Sequence, residues 1–134
     1  MPNATPVNQR ELTKRELGLT NFKVKTLSFT AILNTKYKFI DISSGGAYFT
    51  GIVFGASVNT SAARDGIVAI QANNNASSNA TTTINNRNGF TISWESDALY
   101  VQNTQNNNIT IQLSYIISGT FQESQLLETP VVIP

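Results

Sequence analysis

Histidine and cysteine are both absent from the chain. Without cysteine there is no disulfide, no thiolate nucleophile and no Cys-based zinc site. Without histidine there is no imidazole base to activate a serine or hold a metal. Charge is scarce too: 13% of residues are charged, against about 25% in an ordinary soluble domain. The net charge of +1 gives no bulk electrostatic grip on nucleic acid. No apolar run approaches the roughly 20 residues that a membrane-spanning helix needs. Neither nucleic acid nor membrane is therefore expected as a partner. Residues 1–20 also lack the apolar core of a secretory signal, so no secretory route is expected. The five Asn-x-Ser/Thr triplets, starting at Asn3, Asn59, Asn75, Asn79 and Asn108, then read as by-products of a composition rich in Asn, Ser and Thr.

What remains is a single domain of 134 residues, 40% of them apolar, long enough to bury a substantial core. Its charge is unevenly spread. Residues 1–40 carry seven of the nine bases and a net +5, and residues 41–134 carry −4. This sets the N-terminal part aside as a basic arm suited to an acidic partner surface. Within it Asn8 and Glu11 fit a capping box, and Val7 and Leu12 a hydrophobic staple. A helix is predicted over residues 9–17, ending before Gly18. Leu12, Leu17 and Leu19, with Arg10, Lys14 and Arg15, are the residues through which such an arm docks.

From Phe22 onward the pattern is β: apolar and polar residues alternate, and turn residues recur at short spacing. A strand is predicted from Phe22 to Leu33, with a bulge near Leu27 and Phe29. Lys36 and Lys38 alternate with Tyr37 and Phe39. In the run from Ala47 to Val58, Tyr48, Ile52, Phe54 and Ala56 share one face. Gly51 and Gly55 lie on the other, where a backbone or ring can approach closely. Asn88-Gly89 is the strongest hairpin signal, joining Thr81–Asn85 to Phe90–Trp94. Ile109, Ile111, Leu113, Tyr115 and Ile117 line one face of a last strand. About eight strands and almost no helix predict an all-β, antiparallel β-sandwich, with a jelly roll as first choice. The domain plan is an arm over 1–21, a sandwich over 22–119 and an extended C-terminal arm over 120–134. In that last arm Val131, Val132 and Ile133, flanked by proline, call for a groove.

Chemistry is thin. Eight carboxylates are the only acids and bases. Glu95 and Asp97 are two apart and suit glycosidic hydrolysis, or calcium with Asn103, but read more simply as a solvent-exposed turn. No phosphate-binding loop or calcium loop is present, and no serine has an activating partner. The expectation is a protein that is not an enzyme, with no catalytic, metal or cofactor-binding residues. The Asn-rich loops offer neutral donors and acceptors. With Trp94, Tyr100 and Asn103 they form a candidate glycan contact, although the alternation of Phe90, Ile92 and Trp94 argues that Trp94 faces the core.

Three stretches carry a resemblance: Gly46 to Gly55, Leu99 to Asn103 and Ile109 to Gly119. Their strand lengths and Asn/Gly-rich turns resemble compact jelly-roll domains of bacteriophage virions. These are decoration proteins and head domains of fibres, similar in outline to the trimeric tumour-necrosis-factor and C1q type. The resemblance spans residues 35–119 and contains no diagnostic motif, so no family binding residue is carried over. It implies a structural virion component, a capsid decoration or tail-fibre part. It further implies a homo-oligomer, a trimer by that likeness, with other virion proteins or a cell-surface glycan as partners. A carbohydrate- or receptor-binding module is the alternative.

Overall fold

The computed structural model describes residues 19–57, 65–73, 79–86 and 90–133. Among these, nine strands form two antiparallel sheets. The strands are β1 (Leu19–Ala31), β2 (Lys36–Asp41), β3 (Tyr48–Ser57), β4 (Asp65–Asn73), β5 (Ala80–Asn86), β6 (Phe90–Glu95), β7 (Ala98–Asn103), β8 (Ile109–Gln122) and β9 (Leu126–Val132). One sheet has the order β1-β8-β3-β4-β5 and the other β6-β7-β2-β9. The all-β expectation holds. The predicted helix over 9–17 and the arm residues Arg10, Leu12, Lys14, Arg15 and Leu17 lie outside the described residues. Leu19 opens β1.

The strand order departs from a jelly roll. The pairings β1–β8, β8–β3 and β2–β7 are those of a jelly roll, but β3 and β4 form a hairpin within one sheet. A jelly roll would send β4 and β5 across to the second sheet. The cause is the pairing from Tyr48↔Asn73 to Ala56↔Asp65, nine residues without a register break. The Asn88-Gly89 signal is also overruled. The strands on either side of it, β5 and β6, belong to different sheets and pair with β4 and β7. This connection is a crossover, not a hairpin. The bulge placed near Leu27 and Phe29 is absent: the register runs unbroken from Phe22↔Ser118 to Ala31↔Ile109, and the irregularity falls between Thr20 and Phe22.

The sheets meet face to face. Rings pack across the gap, Phe29 on Tyr37 at 5.1 Å, Phe39 on Tyr115 at 6.0 Å and Phe49 on Trp94 at 6.4 Å. The inward faces of β8 (Ile109, Ile111, Leu113, Tyr115, Ile117) and of β7 (Leu99, Val101) are buried, as alternation predicts. Each such large side chain contributes about 1.5–3 kcal/mol of hydrophobic stabilisation. In β3 the buried residues are Phe49 and Val53, while Tyr48, Ile52 and Phe54 are exposed. The more apolar face of this strand therefore looks outward. Gly51 and Gly55 take the inner face because Ile117 and Phe90 fill the space their side chains would need.

The C-terminal segment has found its groove within the chain. Leu126 to Val132 form β9, which pairs with β2 through Tyr37↔Val132, Lys38↔Val131 and Ile40↔Leu126. Ile133 donates a backbone hydrogen bond to Lys36 O at 3.1 Å. Val131, Val132 and Ile133 are thus residues of a sheet edge, not of a detached arm. A single 3-10 turn, Glu123–Gln125, swings the chain from β8 into β9. It is fixed by buried Gln125, whose Oε1 accepts from Gln122 N at 2.8 Å and whose Nε2 donates to Gly45 O at 3.3 Å.

Candidate functional site

The three residues proposed as glycan contacts have different fates. Asn103 is fully buried. Its Nδ2 donates to Ala31 O and Asn107 O at 3.0 and 2.9 Å, and its Oδ1 accepts from Gln105 N at 2.8 Å. Those bonds close the 103–108 turn from within and leave nothing to offer a ligand. Trp94 packs against the core beside Phe49, and its Nε1 donates to Ala80 O at 3.1 Å. Tyr100 is the one of the three on a surface. It lies mid-β7 with Leu99 and Val101 buried on either side, so alternation turns it outward.

Tyr100 sits on the outer face of the four-stranded sheet, and that face gathers charge. Lys36 and Lys38 of β2 point there because Tyr37 and Phe39 point inward. Lys36 Nζ stands 4.9 Å from the centre of the Tyr100 ring and 3.4 Å from Glu95 Oε2. Lys38 Nζ lies 2.8 Å from Asp41 Oδ2. Gln102 Nε2 donates to Asn34 Oδ1 at 3.2 Å. A concavity of about 320 Å³ opens beside them, walled by Lys38, Glu95, Ser96, Ala98, Val132 and Ile133. Ring, ammonium, amide and carboxylate groups on one face are what a polyhydroxylated ligand requires.

Asp41 is the most perturbed acid here. Burial alone would raise its pKa. Hydrogen bonds from Lys38 Nζ and from the Ser43 hydroxyl and N–H, with the Lys38 charge, outweigh burial and hold the carboxyl at about 2. It therefore stays a carboxylate and accepts hydrogen bonds over the whole working pH range. Glu95 and Asp97 flank a turn in which Ser96 has φ 53°, the left-handed region that short polar residues tolerate. Asn103 lies at the opposite end of β7, opposite Phe90, so the calcium set of Glu95, Asp97 and Asn103 is not brought together. Among the described residues no three Asp or Glu side chains gather as a metal site.

The contribution of Lys36, Lys38, Asp41 and Gln102 was not recognised from sequence. The signal was there: two lysines alternating with two aromatics mark one wet face, and that face is shared by whatever alternates outward on the next strand.

No family model and no curated protein matches this sequence. The fold is matched among solved structures. The tailspike protein gp49 from Acinetobacter baumannii bacteriophage Fri1, a capsular polysaccharide depolymerase, superposes over 98% of this chain with a TM-score of 0.53 and 13% identity. The Acinetobacter phage vB_ApiP_P1 tailspike protein covers 74% of it at 10% identity and a TM-score of 0.42. This chain spans 25% and 21% of the length of those two proteins. The match corrects the expectation of a chain that is not an enzyme, because the same fold occurs in a protein that degrades polysaccharide. The expectation had also rested on reading Glu95 and Asp97 as a solvent-exposed turn, although a carboxylate pair can cleave a glycosidic bond without histidine or cysteine.

Proposed function

We propose that this chain is a tail-associated component of a phage particle that engages a bacterial surface polysaccharide. The observation that carries the reading is the near-complete superposition on one quarter of a tailspike depolymerase. The tail or fibre alternative is thereby preferred to a capsid decoration. The chain acts as a homo-oligomer, with the charged outer face of β6, β7 and β2 turned toward the glycan. Tyr100 supplies the ring, Lys36 and Gln102 supply donors, and Asp41 and Glu95 supply acceptors. The test is retention of purified Acinetobacter capsular polysaccharide by the immobilised chain, with release of reducing ends followed in the same samples. Retention that Tyr100→Ala weakens at least tenfold, with the circular dichroism spectrum unchanged, supports the reading. Reducing ends released by the wild type but not by Glu95→Gln assign the cleavage step to this face. Absence of both retention and cleavage contradicts it.

A further inference from the structure

The two outer faces of the sandwich differ in kind. Among the described residues four ion pairs lie on the four-stranded sheet or on the edge where β1 meets β9. The outer face of the five-stranded sheet carries a single charged side chain among the described residues, Asp65 at its corner opposite Ala56. In place of charge it presents Phe22, Val24, Ile116, Ile52, Phe54 and Ile67, all exposed, with Phe22 58%, Ile52 44% and Phe54 41% accessible. The register makes the patch continuous. Val24 pairs with Ile116, Ile116 with Ile52, and Phe54 with Ile67, across four neighbouring strands. A shallow depression of about 250 Å³ lies between Ile52, Phe54 and Ile116. Tyr48, Ala56, Ala69 and Asn73 share this face, and threonine, serine and glutamine fill most of its other outward positions.

We propose that this face is covered by the same face of a second copy of the chain, around a symmetry axis. Three observations select that occupant. The face lacks the charge that would recruit a charged partner. The chain's other sheet face, bearing Lys36, Lys38, Asp41 and Glu95, is no complement to it, because its ions would lose water without gaining partners. The face is therefore matched by itself, the isologous arrangement of a two-fold pair. Its extent also fits. Four strands about 4.8 Å apart and ten residues long at about 3.4 Å each give a footprint of about 650 Å², of the same order as the roughly 800 Å² each partner buries in a stable complex. The chain's own residues 1–18 are a poor alternative. They carry five charges, on Arg10, Glu11, Lys14, Arg15 and Glu16.

The proposal shares with the functional reading only the expectation of self-association. Sedimentation velocity of the full chain at about 50 μM tests it against three variants. Ile116→Lys places an ammonium at the patch centre, on a position already in water. Ser93→Lys makes the same change on the other sheet. Ile52→Thr with Ile116→Thr keeps strand-forming residues while removing apolar surface. The expected result is an oligomeric wild type and Ser93→Lys, with Ile116→Lys and the double threonine variant reduced to single chains of unchanged circular dichroism. A wild type that sediments as one chain overturns both this proposal and the homo-oligomer. An oligomer indifferent to both patch variants overturns this surface alone, as does one that dissociates only when residues 1–18 are removed.

Discussion

Tyr115 is fully buried, and its hydroxyl has no hydrogen-bond partner among the described residues. Burial, then the charges of Glu128 and Glu123, push its pKa upward, so it stays a neutral phenol. An unpaired buried hydroxyl is a cost, and Tyr115→Phe is expected to leave stability unchanged or raise it by about 1 kcal/mol in chemical denaturation. Asn103 is the opposite case. Asn103→Ala orphans the carbonyl of Ala31 in the interior, and the same denaturation series should show a loss of about 2–4 kcal/mol, since each orphaned buried group costs about 1–3 kcal/mol. Asn103 looked like a surface residue because it opens a polar run, Asn103 to Asn108. Nothing local to the sequence distinguishes an asparagine that holds a turn from inside from one that decorates it. Asp41 gives a pH signature. Its folded pKa, about 2, lies below the 3.8 of an ordinary aspartate in water. Its contribution is therefore full above about pH 4 and is lost as pH falls through the folded value. It should amount to on the order of 2 kcal/mol, at about 1.4 kcal/mol per unit. Urea midpoints between pH 2 and 5 should fall less steeply in Asp41→Asn than in the wild type.

At the scale of elements, alternation found eight of the nine strands among the described residues, missed β9 and could not order them. Periodicity reports which side chains share a face, and it did so correctly for β8. It is silent on which sheet a strand joins. The jelly-roll order failed at β4, and the Asn88-Gly89 hairpin failed because β6 gains more by pairing with β7 across six residues. On β3 the sequence shows which residues share a face but not which face is covered: the more apolar one, with Tyr48, Ile52 and Phe54, is the exposed one. β9 closes the sandwich on its open side. Lys23 reaches Glu123 at 3.3 Å, and Lys25 reaches Glu128 at 2.9 Å and the Leu126 carbonyl at 3.4 Å. The Lys25 hydrogen bond and charge pull the Glu128 pKa down, but Glu128 itself is in water, where such pairs are worth little. The strand's value lies in its backbone pairing with β2 and in covering Ile40 with Leu126. Deleting residues 126–134 should therefore produce aggregation through the bared β2 edge, visible by static light scattering. Glu128→Gln should leave the melting temperature unchanged.

At the scale of the whole molecule, the two proposals give the two outer faces of the described sandwich separate roles. One is wet, charged and concave beside Lys38, Glu95 and Ile133, and it is assigned to polysaccharide. The other is broad, apolar and bears one carboxylate at its corner, and it is assigned to a second copy. A basic N-terminal arm docking on an acidic surface, the assembly mode suggested by the charge asymmetry of the sequence, predicts association that weakens with salt. Apolar burial on the five-stranded sheet predicts the reverse, because an uncharged interface has nothing for salt to screen, and hydrophobic contact is not diminished by it. Sedimentation velocity of the wild-type chain at 50 mM and 500 mM NaCl separates the two. The account predicts one oligomeric mass, a multiple of 14.6 kDa, at both concentrations. Dissociation to 14.6 kDa at 500 mM, or a single chain throughout, would contradict it.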